Sequence, residues 1–481
     1  MGETGMLHAD PSMSRLLHKS FAPVDIAWLV FFRIIFGGVM VVEVLRYFAN
    51  DWIEIFNASD FLFGFYAFEW VKPWPDPGMH IHFAVLGVAA LCVALGFCYR
   101  FMAALFFVGF TYVFLLDETR YLNHFYLICL ISFLMIFLPA HRAWSVDAWL
   151  RPAIRSDVTP AWTLWLMRAQ IGIPYFFGGI AKLNSDWLHG EPMRMWLADR
   201  AHMPVIGPHV HEEWLVYFFV IGGLLLDLLI VPGLLWRRTR VLAFCAAASF
   251  HLLNSQLFRI GIFPWLMLGA TFIFFPPDAI RRFLRKMGSS SRVAAAAATQ
   301  DHAAVVPWWQ PRKAVVVTVA LYLVVQVLLP LRHFLYPGNV HWTEEGHRFA
   351  WHMKLRTKSG DVLYDLASPA AGRTWLADPM EHLSDSAYEK MTTHPDMILQ
   401  YAHYLAEQKR REGYPDIEVR AQSMVSLNGR PPRPLIDPRV DLARERRTLG
   451  RAAWILPLEE PLPRATERLP EEVRHFIGGS D

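Results

Sequence analysis

Cysteine is scarce in this chain of 481 residues: there are four (Cys92, Cys98, Cys129 and Cys245), all within or beside apolar runs, and none follows Cys245. A disulfide framework is therefore excluded for the C-terminal portion, and the thiols carry no signal of redox compartment. The first twenty residues lack the short apolar core and small-residue cleavage site of a secretory signal, so the first long apolar run reads as a retained span. No phosphate-binding glycine loop, no flavin or nicotinamide fingerprint and no HExxH occurs. That removes the usual nucleotide-driven and zinc-hydrolase readings, and no metal is expected. The two halves show no internal repeat, which argues against a repeat-built transporter. Charge of one sign is also lacking: the net charge is +3 and names no partner, nucleic acid included.

Apolar residues, by contrast, make up 54% of the chain, with 19 Trp and 35 Phe, the profile of a membrane protein. A hydrocarbon core takes about twenty apolar residues per helix. Nine runs meet that test: 25–48, 82–98, 101–116, 123–140, 161–181, 214–236, 241–258, 261–276 and 314–336. The second and third, and the seventh and eighth, are so close that either pair could be one kinked element. Placing the N-terminus in the cytoplasm puts sixteen Lys and Arg on inner segments, from Arg15 and Lys19 to Lys313. Six fall outside: Lys72, Arg120, Lys182, Arg194, Arg200 and Arg259. The asymmetry supports nine spans in that orientation. The stretch SSSRVAAAAATQ, within a basic region of about 277–313, reads as a cytoplasmic linker.

Composition changes sharply after Tyr336. The chain thus divides into a helical membrane domain, 1–336, and a soluble domain, 337–481, placed outside the cytoplasm by the odd span count. Within the latter, RFAWHMKLRT, DVLYDLA and IEVRAQSMVSL read as strands and HPDMILQYAHYLAEQKRR as a helix. The expected fold is an α-helical polytopic membrane protein of about nine spans with a mixed α/β extracytoplasmic domain.

Polar groups inside spans are costly and ask for a reason. Arg168 lies in the fifth run, which ends in YFFGGIAKLNSDW. Lys182 at such an end could snorkel to the interface. Gly178 and Gly179, however, allow close helix packing just before it, and Asn184, Ser185, Asp186 and Trp187 form a polar, aromatic rim. A lysine shielded from water can serve as a neutral base. Asn123 and His124 open the fourth run, and His251, Asn254, Ser255 and Gln256 end the seventh in FHLLNSQLF. Each alone reads as an ordinary helix–helix hydrogen bond; their convergence with Lys182 on one side of the membrane favours a shared site. HVHEE (His209, His211, Glu212, Glu213), with His202 nearby, reads as a solvated loop rather than a metal site. Asp227 is expected to pair with an arginine, and Arg33, Glu43 and Arg46 among themselves.

These motifs resemble the vitamin K-dependent gamma-carboxylase family. The likeness is carried by GFCYRF, TYVFLLDETRYLNHFYL, AWSVDAWL, MRAQIGIPYFFGGIAKLNSDWLHG and SFHLLNSQLFRIGIFPW. It continues through LPLRHFLYPGNVHWTEEGHRFAWHMKL, HPDMILQYA and LIDPRVDL, in order, from about Ser14 to Pro457. The resemblance implies an enzyme that oxidises reduced vitamin K (the hydroquinone) with O2 to the epoxide. The strong base so generated removes a γ-proton from a glutamate, and CO2 adds to the carbanion. It implies Lys182 as the catalytic lysine that deprotonates the hydroquinone, His124 as the active-site histidine with Asn123 before it, and His251 as the histidine of the NSQLF motif. Asn254, Ser255, Gln256, Asp186, Trp187 and Arg168 are the expected quinone- and substrate-binding residues. The cofactors implied are vitamin K hydroquinone (phylloquinone or menaquinone), O2 and CO2; the partners are a glutamate-containing peptide and membrane lipids. The family often has two adjacent lysines where this chain has Ala181 and Lys182, and its animal enzymes continue beyond LIDPRVDL with a long extra domain. A bacterial inner-membrane protein is the compositional expectation, or an ER one if the source is eukaryotic. The rival readings are a quinone epoxidase without carboxylation and a transporter or binding protein.

Overall fold

A computed structural model of the protein describes residues 11–58, 61–258, 260–286 and 308–462. All nine apolar runs contain helices: α1 (Ala27–Ala49), α2 (Gly78–Leu95), α3 (Tyr99–Leu116), α4 (Asn123–Phe137), α5 (Ala161–Ala181), α6 (Glu213–Leu235), α7 (Arg240–Leu257), α8 (Phe263–Thr271) and α9 (Lys313–Leu331). Among the described residues, five of these (α1, α2, α3, α6 and α9) are long and apolar enough to cross a membrane. α4 and α8 are shorter, and α5 and α7 carry the polar groups of the site. The linker SSSRVAAAAATQ lies outside the described residues.

α1 is the central strut. Trp28, Phe32, Phe36, Met40 and Val44, at steps of four, form one buried stripe, the facing set of a 3.6-residue helix. Gly37 lets α2 approach: a Cβ there would meet the Ala94 backbone nitrogen at 2.6 Å. α2 and α3 are two helices rather than one. Gly96 ends α2 with φ +67°, and the Asp147 carboxylate accepts the backbone N–H groups of Cys98 (2.9 Å) and Tyr99 (3.0 Å) at the start of α3. α7 and α8 are likewise separated, with Gly261 at φ +57° in the turn. Glu43 and Arg46 pair at 2.6 Å as expected. Arg33 does not join them; its Nη1 donates to the Ala140 carbonyl (2.7 Å) and its Nη2 to the Trp144 carbonyl (2.5 Å). A short pair, β1 (Pro23–Asp25) with β2 (Val158–Pro160), joins antiparallel before α1 and α5.

Beyond α9 the chain forms a four-stranded antiparallel sheet, order β4-β3-β5-β6, from β3 (Lys358–Ser368), β4 (Arg373–Ala377), β5 (Glu418–Leu427) and β6 (Arg433–Pro434). Val362, Tyr364 and Leu366 of β3 and Val419, Ala421 and Val425 of β5 alternate inward, the period-2 pattern of a sheet with one covered face. α10 (Asp385–Thr392) and α11 (Pro395–Arg411) lie against this sheet, with Ile398, Tyr401, Ala402 and Leu405 in the shared core. The sequence expectations for DVLYDLA, IEVRAQSMVSL and the α11 helix are met; the one for RFAWHMKLRT is not. Residues 348–357 form turns and irregular chain. Phe349, Trp351 and Lys354 have φ of +62°, +61° and +49°. The chain doubles back there, seating Trp351 in the bundle core and His347 and His352 below it. The apparent alternation reflects burial between two domains rather than a strand's two faces.

Candidate active site

A cavity of about 520 Å³ lies where the bundle meets this segment, within the range of roughly 300–1,000 Å³ usual for small-molecule sites. Its floor is built by α4, α5, α6, α7 and the start of α8; its roof is built by residues 347–358 and the region of Lys390 to Met397.

Lys182 occupies the floor. Gly179 leaves no room for a Cβ against Leu228 of α6, whose backbone nitrogen would lie at 3.2 Å, so α5 and α6 pack backbone to backbone. That approach brings Asp227 to Lys182: Nζ donates to Asp227 Oδ2 at 2.5 Å and to the Gly178 carbonyl at 3.3 Å. Both side chains are buried. The partner of Asp227 is therefore this lysine and not an arginine. The ammonium also lies 5.3 Å from the centroid of the Trp187 ring, and Trp187 is fixed by its indole N–H on the Val220 carbonyl (3.1 Å).

His124 and His251 approach the cavity from α4 and α7, and the ring of Phe263 lies 5.7 Å from each. His251 is fully buried, with Nε2 2.6 Å from the Tyr175 hydroxyl. Asn123 is held from both sides: its Oδ1 accepts from the Tyr121 hydroxyl (3.0 Å) and its Nδ2 donates to the His352 carbonyl (3.0 Å). Lys182, His124, Asn123, His251, Asn254 and Trp187 are thus brought together around one cavity.

Four other sequence candidates are not. Asp186 is buried under the C-terminal domain, accepting from both Arg430 guanidinium nitrogens (2.7 and 2.8 Å) and from Asn428 (2.7 Å). Its carboxylate is consumed by a tie between domains. Arg168 donates Nε and Nη2 to the Ile273 carbonyl, at 3.1 and 3.0 Å. It sits fourteen residues from Lys182, about 21 Å along a helix. The Ser255 hydroxyl turns back to the Leu252 carbonyl (2.6 Å), and Gln256 is exposed on the far side of α7. In the HVHEE loop, Glu213 pairs with Arg194 at 2.8 Å.

The roof is the part that sequence reasoning missed. Arg348, Lys354, Arg356, Lys358 and Lys390 all line the cavity. Arg348 pairs with Glu118, while Arg356 and Lys358 share Glu344 at 2.7 and 3.3 Å. Burial pulls the Lys358 ammonium down to about 8, against the opposing pull of Glu344. Lys354 and Lys390 have no carboxylate partner among the described residues. Counting the whole lining, seven Lys and Arg (Arg46, Lys182, Arg348, Lys354, Arg356, Lys358, Lys390) face three acids (Glu43, Glu118, Asp227). The signal was present in the run KLRTK, where three cations stand at alternate positions, but the strand reading of RFAWHMKLRT gave them no part in a site.

No solved structure matches this chain. The HTTM domain matches residues 21–279, which takes in the floor of the cavity, and the lumenal domain of vitamin K-dependent gamma-carboxylase matches residues 311–461, which takes in the roof. With both halves of one cavity covered by the two domains in order, this chain belongs to the vitamin K-dependent gamma-carboxylase family.

Proposed function

We propose that this protein is a membrane enzyme that oxidises reduced vitamin K with O2 to its epoxide and carboxylates the γ-carbon of a glutamate. The observation that carries the reading is the Lys182–Asp227 contact of 2.5 Å in a cavity that is aromatic on one side and cation-rich on the other. The residues present fit a reduced naphthoquinone. Phe219, Phe250, Phe258, Phe263, Trp187 and Trp196 offer flat apolar surface, and Lys182 offers a proton acceptor. Reduced vitamin K and O2, once bound, supply the strong base that abstracts the γ-proton.

The chain's own part is to start that chemistry and protect it. Nζ is held by Asp227 Oδ2 at 2.5 Å and by the Gly178 carbonyl at 3.3 Å, so Asp227 is placed to accept the proton that Nζ gives up as Nζ takes the hydroquinone O–H proton. His251 is held by Tyr175, and His124 is packed on Phe125 and Phe263; they flank the reacting region with imidazoles that donate or accept hydrogen bonds. The domain closing over the mouth limits water, which would quench a strong base. The cation surplus of the roof receives the carboxylates of a glutamate peptide. Asn123, His124, Lys182 and His251 are the catalytic residues of this reading, Trp187 and Asn254 line the quinone site, and the charge asymmetry of the sequence supports an extracytoplasmic face for the roof.

The test uses purified protein in detergent with chemically reduced vitamin K, O2, labelled bicarbonate and a short glutamate peptide. Epoxide plus label in the peptide, both lost in Lys182→Ala, is the expected result. Epoxide without label reduces the activity to quinol oxidation. Neither product from intact protein overturns the assignment.

A further inference from the structure

Three histidines at the roof, His347 and His352 within it and His341 beside it, have side chains that this chemistry does not use. His341 stands in the short helix Val340–Thr343, whose start is capped by the Asn339 side chain on the His341 N–H (2.9 Å). His347 and His352 follow on the doubled-back segment. Their rings gather at centroid separations of 6.1 Å (His341–His347), 5.2 Å (His341–His352) and 5.0 Å (His347–His352). One ring nitrogen from each lies within 4.8 Å of the others. All three side chains are buried, at 4%, 8% and 5% exposure. Among the described residues, His341 Nδ1 and both nitrogens of His352 have no hydrogen-bond partner.

Native proteins rarely leave one such buried polar atom without a partner, let alone three in one place. We propose that His341, His347 and His352 bind one divalent transition-metal ion of the zinc and iron(II) class, with its open side toward the cavity that His347 and His352 line. Burial of all three rings suits the neutral imidazole, the ligating form.

The remaining neighbours fit. Glu344 Oε2 lies 3.5 Å from His347 Nδ1, the outer carboxylate that commonly orients a metal-bound imidazole through its second nitrogen. His347 Nε2 accepts from Arg356 Nη1 at 2.6 Å. Metal binding replaces that hydrogen bond, and Arg356 keeps its 2.7 Å contact with Glu344. Glu344 also offsets part of the local positive charge of Arg356 and Lys358. Metal–nitrogen bonds of about 2.0–2.1 Å place tetrahedral donors roughly 3.3 Å apart, so the three rings need only close in by side-chain rotation.

The test uses full-length protein carrying an affinity tag free of histidine, stripped of metal and then given Zn2+ or Co2+ alone, with metal content per chain as the readout. About one equivalent is expected. His341→Ala and His352→Ala each lower the affinity by at least about tenfold, while His202→Ala in the outer loop leaves it unchanged. Co2+ bound to the wild type shows visible bands of nitrogen coordination, a readout that does not depend on any variant folding. Less than roughly a tenth of an equivalent, or equal content in wild type and both inner variants, overturns the site and leaves ordered water as the occupant. Metal content is measured without turnover, so this outcome is separate from that of the carboxylase reading.

Discussion

The floor and the roof of the cavity are built by opposite means. The floor is helical and apolar, with single polar groups placed by close packing: Gly179 against Leu228 fixes the distance from Lys182 to Asp227. The roof is irregular and crowded with cations, held in shape by residues at positive φ and by Glu118 and Glu344. Chemistry that needs placement to a fraction of an ångström belongs on rigid elements, whereas recognition of a variable partner tolerates a loop. Under the proposed function the same difference divides the two substrates, with the aromatic floor as the quinol's side and the charged roof as the acidic peptide's.

The sharpest way to break this comparison is at the floor. Lys182→Ala is expected to lower epoxide formation by about a thousandfold or more, with carboxylation falling in parallel because it depends on the same base. A loss of carboxylation alone would move Lys182 from quinol chemistry to the peptide. Asp227→Asn should follow, with a drop of a few hundredfold in epoxidation, since an amide cannot accept the lysine proton. Retained rate in Asp227→Asn would show that the 2.5 Å contact only holds the helices together.

Between floor and roof stands Asp186, which sequence reasoning placed among the substrate-binding residues. Asp186→Asn leaves Arg430 buried without a counter-charge and is expected to cost about 3 kcal/mol of stability, read as a lower unfolding temperature. The KM for quinol in the folded fraction should not change. A raised KM with unchanged stability would return Asp186 to the binding site.

The floor was largely legible in the sequence because polar residues inside apolar helices announce themselves by their cost. Lys182, His124, Asn123 and His251 stood out on those grounds and line one cavity. Asp227 stood out too, yet its partner did not: pairing between helices depends on their relative register, which Gly179 and Leu228 set. Asp186 shows the same limit over 244 residues, its partner Arg430 lying in the other domain. Nine helical runs were visible from hydropathy, and the break between α2 and α3 follows from Gly96 and Asp147. The roof was illegible for a different reason. Alternation in RFAWHMKLRT has the period of a strand, but the chain there is buried against the bundle and turns at Phe349, Trp351 and Lys354. Local pattern cannot separate burial in a sheet from burial between domains.

The roof's own test is the mildest. Lys354 and Lys390 are the two lining cations without a carboxylate partner among the described residues, so they are free to meet an acidic peptide. Lys354 is exposed, and a screened contact of that kind contributes only up to about 1 kcal/mol. Lys354→Ala and Lys390→Ala should each raise the KM for peptide roughly threefold, and together about tenfold. Added salt should erode the difference, because the contacts are electrostatic and open to solvent. Epoxidation measured without peptide should stay at the wild-type rate in Lys390→Ala and close to it in Lys354→Ala, whose ammonium lies 5.1 Å from the centroid of the Phe258 ring at the edge of the floor. If epoxidation falls as far as carboxylation does, the cations act on the quinol, and the division of the cavity into two substrate faces fails.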